Sequence, residues 1–257
     1  MPTTVITGSA SGIGAATRSA LEAAGHSVIG VDLRNVDIAG DLSSAEGRAQ
    51  VLAEVLARCS GKLDGLVLCA GLGPQVSPAS RVAAVNYFGA IELLDGLLPA
   101  LRQGREPAAV VISSVASAHL TWDRNPLAAA FEGGDEAKVD AIIDAAGEKG
   151  GQLAYAGSKN AVTVAVRRRA VVWGQAGVRL NTVAPGAVET PLLQAGLQDP
   201  RYGQAIRDFV APIARRARPD EIADMVVYLM GPQAGFIHGA QFFVDGGMDA
   251  MMRPTQF

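Results

Sequence analysis

The stretch Thr3-Thr-Val-Ile-Thr-Gly-Ser-Ala-Ser-Gly-Ile-Gly14 decides how the rest of the chain is read. A short apolar run, Thr3 to Ile6, breaks into a turn with glycines at 8, 12 and 14. Apolar residues then recur at helical spacing (Ile13, Ala16, Ala20, Leu21, Ala24), which predicts a helix over 15–24 with Gly25 as its stop. Glycines alone merely permit tight turns. Between a strand and a helix they also let the backbone approach a pyrophosphate, whose charge then rests on the helix N-terminus. The turn residues Gly8, Ser9, Ala10, Ser11, Gly12 and Ile13 are therefore the first candidate cofactor contacts.

Working outward, His26 to Asp32 reads as the second strand. An acidic side chain at its end accepts hydrogen bonds from ribose hydroxyls and repels a 2′-phosphate, which favours NAD over NADP. Arg34 loosens that preference, because a guanidinium accepts a phosphate. After a short third-strand candidate (36–39), Asp41 is placed to reach an adenine amino group, with Leu42 beside it. Ser43-Ser-Ala-Glu46 has the pattern of a capping box opening a structural helix to Arg58.

Leu63 to Gly71 is a nearly unbroken apolar strand, as expected when helices cover both sheet faces. Asn86 falls in a long apolar helix running to about Leu101, where an amide must find partners, as a structural bridge or as part of a site. Ala108 to Ser114 is the next buried strand and ends in two hydroxyls at the edge where open α/β sheets bind ligands. Alternation along a strand points Ser113 and Ser114 to opposite faces, and Ser114 is the one expected in the site. Residues 117–153 differ in character. Asn125-Pro126 reads as a helix start, 135–146 as an amphipathic helix bracketed by Gly133-Gly134 and Gly150-Gly151, the whole being a small helical insertion used as a lid or surface excursion.

Tyr155-Ala-Gly-Ser-Lys159 puts two chemically capable side chains four residues apart, on one helix face. A tyrosine has a reference pKa of about 10, so acting as a base near neutrality requires a shift worth about 4 kcal/mol. An ammonium some 5 Å away supplies on the order of 3 kcal/mol at an effective dielectric near 20. Beyond this helix, 178–184 reads as a strand ending in Pro185-Gly186. It is followed by an apolar, glycine- and proline-rich cover after Thr190, a helix opened by Pro219, and a last strand at 241–247.

Composition narrows the classes. The chain has 257 residues, 49% of them hydrophobic, with 30 glycines, which suits a turn-rich α/β fold with a large core. With 22 basic against 25 acidic residues (net charge −3), no nucleic-acid partner is expected, and Arg167-Arg168-Arg169 reads as a solvated helix face. Cys59 and Cys69 with His26, His119 and His238 form no metal-ligand spacing, so no metal is expected. No uninterrupted apolar run of 18 residues and no leader segment is present, so neither a membrane span nor export is expected, and the chain reads as cytoplasmic. Strand and helix alternate throughout without a linker or repeat. The expectation is an α/β fold, a Rossmann-like doubly wound parallel sheet in a single domain, 1–257.

Taken in order, Thr7-Gly8…Gly12-Ile13-Gly14, Asp32, Asp41, Cys69-Ala-Gly71, Asn86, Ser114, Tyr155…Lys159, Pro185-Gly186 and Thr190 resemble the short-chain dehydrogenase/reductase family over essentially the whole chain. The 41 positions separating Ser114 from Tyr155, the Cys-Ala-Gly and the tail Met252-Arg-Pro-Thr-Gln-Phe257 resemble bacterial members that act at C3 of steroids. The resemblance implies NAD(H) held by the residues above together with Ala70, Gly71, Pro185, Val188 and Thr190. Tyr155 is then the proton donor and acceptor, Lys159 lowers its pKa and contacts the nicotinamide ribose, and Ser114 bonds the carbonyl oxygen. Asn86 holds a water leading from Lys159 to solvent. The implied substrate is a small apolar ketone or alcohol, a 3α-hydroxysteroid or 3-oxosteroid foremost, with another apolar secondary alcohol as the alternative. A non-catalytic dinucleotide sensor is the remote reading, since such a protein loses one of these side chains. The resemblance also implies a homo-oligomer, a dimer foremost. Lying just before the Tyr/Lys helix, the insertion is expected to interfere with association through it.

Overall fold

Seven strands, β1 (Thr3–Thr7), β2 (Ser27–Asp32), β3 (Ile38–Ala39), β4 (Gly65–Leu68), β5 (Ala108–Ile112), β6 (Arg179–Pro185) and β7 (Gln241–Val244), pair in parallel in one sheet of order β3-β2-β1-β4-β5-β6-β7. The helices are α1 (Gly12–Ala23), α2 (Ala45–Arg58), α3 (Ser80–Ala83), α4 (Ala90–Leu101), α5 (Ala128–Glu132), α6 (Glu136–Ala145), α7 (Gly150–Gln175), α8 (Pro191–Gln198), α9 (Gly203–Asp208), α10 (Pro219–Met230) and α11 (Met248–Met252). This computed structural model describes residues 1–256; Phe257, the last residue of the tail noted above, lies outside the described residues.

Successive strand residues enter two different cores, as a period of two requires. Ile6, Val67, Val110 and Val183 meet Leu21 of α1 and Ile222, Val226 and Leu229 of α10 on one face. Val5, Leu66, Leu68, Ala109 and Val111 face Val51 of α2, Leu94 of α4 and Val162 and Trp173 of α7 on the other. The doubly wound reading therefore holds, and the order reverses between β1 and β4, where such sheets open a ligand crevice at the strand C-termini.

Several local expectations change. Helix α1 starts at Gly12, inside the glycine turn. The cap of α2 is Ser44, which accepts from Gly47 N at 3.1 Å, so Glu46 is one position short of closing a capping box. The helix carrying Asn86 is interrupted by a π-helical segment, Ala84–Gly89. The cover after Thr190 is folded into α8 and α9, with Thr190 as cap and Pro191 at the first position of α8.

The insertion departs most from expectation. Gly150-Gly151 do not close it but begin the 26-residue α7. A Cβ at Gly151 would lie 2.2 Å from the Pro74 carbonyl oxygen, so the helix is admitted to this position only because the side chain is missing. Leu127, Phe131, Val139 and Ile143 are all nearly fully buried, and the Phe131 ring packs against Tyr87 of the π-helical segment, centroids 4.3 Å apart and planes tilted by 42°. Asn125 is itself buried and donates to Gly157 O (3.0 Å) and Asn160 Oδ1 (3.1 Å) of α7 while accepting from Leu127 N. The inner face of this segment is core, packed on α3 and α7, while its outer face is exposed, so the surface excursion is fastened to the fold instead of standing free as a lid. Arg168 and Arg169 are likewise committed, to Glu132 (2.5 Å) and Asp95 (2.6 Å). The stretch Ser80–Leu101 has the length and mean hydropathy (1.2) of a membrane span, but here its Leu93, Leu94, Leu97 and Leu101 are buried in the sheet-facing core.

Candidate active site

The C-terminal ends of β1, β2, β4, β5 and β6 border a cleft of about 310 Å³. Gly8, Ser11, Gly12 and Ile13 line its middle, Asp32, Asp41 and Leu42 one end, and Ala70, Gly71, Pro185, Val188 and Thr190 the other, where Ser114, Tyr155 and Lys159 meet. A Cβ at Gly14 would sit 2.1 Å from Gly8 O, so the start of α1 closes onto the β1 turn only with glycine there. Ser9 and Ala10 stand behind the wall. Ser9 bonds Val31 O, and Ala10 N donates to Asp32 Oδ2 at 3.0 Å. They shape the turn and hold the Asp32 carboxylate without lining the cleft. Leu33 N donates to the other Asp32 oxygen at 2.7 Å, leaving each oxygen a lone pair toward the cleft.

At the far end, the two hydroxyls after β5 separate as alternation predicts. Ser113 Oγ is spent on Thr163 Oγ1 (2.7 Å) and Lys159 O (3.2 Å), which ties β5 to α7. Ser114 Oγ accepts from Ala116 N at 3.2 Å, so its own hydrogen remains free for the Tyr155 hydroxyl or a ligand oxygen. Thr190 Oγ1 donates to Val188 O and accepts from Leu193 N, joining the cleft wall to the α8 cap.

The electrostatics depart from the simple Tyr/Lys expectation. Burial raises the Tyr155 pKa above its ordinary value of 10.0, opposed by its hydrogen bond with Ser114. Burial brings Lys159 down from 10.5 to about 8, and its Nζ donates to Ile112 O at 2.8 Å. Lys159 is thus held by the β5 carbonyl, and desolvation outweighs any pull toward tyrosinate. Cys69, pushed up to about 12 by burial, is a neutral thiol at physiological pH and gives Lys159 no countercharge there. The buried Thr17 hydroxyl stands beside the Cys69 thiol, which is at best a weak hydrogen-bond partner for it.

Asn86 lies outside the cleft wall. Its Oδ1 accepts from Leu72 N (2.8 Å) and its Nδ2 donates to Leu72 O (3.0 Å), so the structural-bridge alternative describes its side chain. It still flanks Gly71 together with Lys159: a methyl there would lie 3.2 Å from Asn86 Oδ1 and 3.4 Å from Lys159 Nζ. Sequence reading missed Arg81, whose guanidinium lines the cleft 3.9 Å from Asp41 Oδ2, and Leu192 and Leu193, which line it from α8. Nothing marks Arg81 in the sequence, because its neighbour is 40 positions away.

A doubly wound sheet with a glycine turn on a helix N-terminus, an acid closing β2 and a Ser/Tyr/Lys cluster at the opposite end defines a dinucleotide-dependent oxidoreductase. Residues 2–130 match the family described as short chain dehydrogenase, and 139–249 match enoyl-(acyl carrier protein) reductase. The chain belongs to the short-chain dehydrogenase/reductase family. It is 66% identical over 253 residues (98% of both chains) to a 3-alpha-hydroxysteroid dehydrogenase/carbonyl reductase of Comamonas testosteroni. It is 31% identical, over 96% of both, to a cis-4-hydroxycyclohexanecarboxylate dehydrogenase of Sinomonas cyclohexanicum. The crystal structure of a 3-alpha-hydroxysteroid dehydrogenase from Pseudomonas sp. B-0831 complexed with NADH superposes with a TM-score of 0.96 at 53% identity, covering 99% of this chain and all of that one.

Proposed function

We propose that this chain is an NAD(H)-dependent oxidoreductase that interconverts 3α-hydroxysteroids and 3-oxosteroids and reduces other apolar carbonyl compounds. The observation that carries the chemistry is the convergence of Ser114, Tyr155 and Lys159 at one end of the cleft. The steroid assignment is supported by the 66% identity with the Comamonas enzyme.

The residues fit the cofactor. The Asp32 carboxylate would hold the adenosine ribose, the glycine turn at the start of α1 the pyrophosphate, and Thr190 with the Val188 backbone the carboxamide; all of them line the cleft. Bound NAD(H) supplies or accepts the hydride. In reduction, Tyr155, protonated at neutral pH, gives its proton to the carbonyl oxygen while Ser114 turns its free hydroxyl hydrogen to the same atom. Lys159, held by the Ile112 carbonyl, would meet the nicotinamide ribose of the bound cofactor and keep positive charge on the Tyr155 side of the cleft. Asn86 keeps a water beside Lys159 by the lone pair of Oδ1 that Leu72 does not use. The apolar wall of Leu192 and Leu193 suits a substrate of low polarity.

Residues 1–257 act as one domain, with 117–153 as its insertion, in a cytoplasmic protein whose two cysteines are free thiols. A homo-oligomer, a dimer foremost, would cover the exposed apolar side chains Tyr228 and Phe236; α5 and α6 lie against α7 and would interfere with association through that helix. Steady-state rates with 3α-hydroxysteroids, their 3β epimers and small aromatic ketones, each with NAD(H) and NADP(H), test the reading. Preference for the 3α alcohol and NAD supports it. Turnover confined to small aromatic ketones transfers the function to another apolar carbonyl substrate.

A further inference from the structure

Arg48 of α2 is 1% exposed, one of the largest fully buried side chains in the protein, and no step of the proposed chemistry uses it. Its guanidinium joins three elements. Nη1 donates to Leu42 O at 3.4 Å, Nη2 donates to Glu136 of α6, and Nε stands 2.8 Å from Glu92 Oε2 of α4 without the alignment of a hydrogen bond. Both carboxylates are partly exposed (side-chain exposure 46% for Glu92 and 40% for Glu136), so the buried cation meets its countercharges at the protein surface.

Leu42 and Asp41, which form the adenosine end of the cleft, sit directly on this arrangement. The first turn of α2 grips them from one side. A Cβ at Gly47 would be 2.0 Å from Asp41 O, and just ahead of the helix cap Ser43 N donates to Asp41 Oδ1 at 2.8 Å. Arg48 holds them from behind through the Leu42 carbonyl. The insertion therefore does more than fill space beside α7. It delivers one of the two carboxylates that let a guanidinium remain buried at this corner, 88 positions away in the chain.

We propose that Arg48 is a positioning residue for the adenosine half of the cofactor, and that Glu136 of the insertion sets its position. This rests on the dinucleotide reading of the cleft. Loss of the Glu136 charge lets the guanidinium swing toward Glu92 and release Leu42 O, since a buried charge deprived of one partner reorganises around the other. The adenosine subsite then loosens while Ser114, Tyr155 and Lys159, at the opposite end, stay in place.

The test measures the affinity of AMP and of NADH by calorimetry, alongside kcat, KM for NAD and thermal midpoint, in the wild type and in Arg48→Met, Arg48→Lys, Glu136→Gln and Glu136→Asp. Glu132→Gln, which breaks the exposed pair with Arg168 on the same insertion, is the control. Arg48→Met and Glu136→Gln are expected to weaken AMP and NADH by roughly three- to thirtyfold and to raise KM for NAD in parallel, with kcat at saturation within about twofold. The conservative variants should recover part of the affinity, and the control should leave it unchanged. Unchanged AMP affinity in Glu136→Gln overturns the proposal, as does a loss that appears equally in kcat or in Glu132→Gln. If Arg48→Met does not fold, Glu136→Gln decides the matter alone. A wild type that binds neither AMP nor NADH refutes instead the dinucleotide reading on which the proposal stands.

Discussion

At the scale of single residues, the two neighbouring serines have separate duties. Ser113 spends its hydroxyl inside the protein, whereas Ser114 keeps a hydrogen to give. Ser114→Ala is expected to lower kcat by roughly 10²- to 10³-fold, the usual effect of removing one donor to a developing oxyanion. Ser113→Ala should instead act mainly on stability. Comparing kcat and urea midpoint for the pair separates these outcomes. Because burial holds Tyr155 above its ordinary pKa, the acid form dominates throughout the neutral range. Carbonyl reduction should therefore vary little with pH from 6 to 7 and fall as Lys159 loses its charge around pH 8, while alcohol oxidation, which needs the base form of Tyr155, should be favoured above neutrality. Initial rates in both directions check this. Lys159 makes a second pH statement. Its value of about 8 in the folded protein lies below the ordinary 10.5, so between these values the unfolded chain binds more protons and stability rises with pH. Below about pH 8 the desolvation cost is present in full, on the order of 3 kcal/mol. Lys159→Met should abolish activity yet raise the urea midpoint at pH 7, less the hydrogen bond to Ile112 O.

At the scale of elements, what was legible in the sequence depended on how far each determinant extended along the chain. The turn 8–14, the acid that ends β2 and the Tyr/Lys spacing are local patterns, and each lies where periodicity and turn chemistry place it. The Ser113/Ser114 choice followed from strand alternation alone. The π-helical segment around Asn86 did not, because it is coupled to a bridge with Leu72, 14 positions earlier, that no helical period encodes. Gly150 and Gly151 read as a break and are helix, because what requires them is close backbone, Ile143 O at Gly150 and Pro74 O from across the fold at Gly151. The amphipathic helix of the insertion was legible, with Val139 and Ile143 inward, but what its inner face packs on was not, since the Tyr87 and Phe131 contact joins distant segments. That contact is reinforced by Asn125. Asn125→Ala would leave buried polar groups on Gly157, Asn160 and Leu127 without this partner and should cost about 1–3 kcal/mol. The thermal midpoint should fall by several degrees, and an unchanged midpoint would mean that the insertion is not fastened here.

At the scale of the whole molecule, the parallel sheet sets the division of labour. Its switch point between β1 and β4 sets Asp32, Asp41 and Leu42 on the β1–β3 side of the cleft and Ser114, Tyr155 and Lys159 on the other, so the proposed function makes affinity and chemistry separable by mutation. Asp32 belongs to the first side, and Asp32→Ser should reduce the preference for NAD over NADP by about tenfold or more, read as the ratio of kcat/KM values. Tyr155 belongs to the second. The most direct test of the central claim is the initial rate of NAD reduction with a 3α-hydroxysteroid, for the wild type beside Tyr155→Phe. Steroid-dependent NADH formation by the wild type, lowered by roughly 10²- to 10⁴-fold in Tyr155→Phe with NADH affinity retained, is the predicted result. A wild type inert toward the steroid, or a phenylalanine variant that turns it over at near-normal rate, would contradict it.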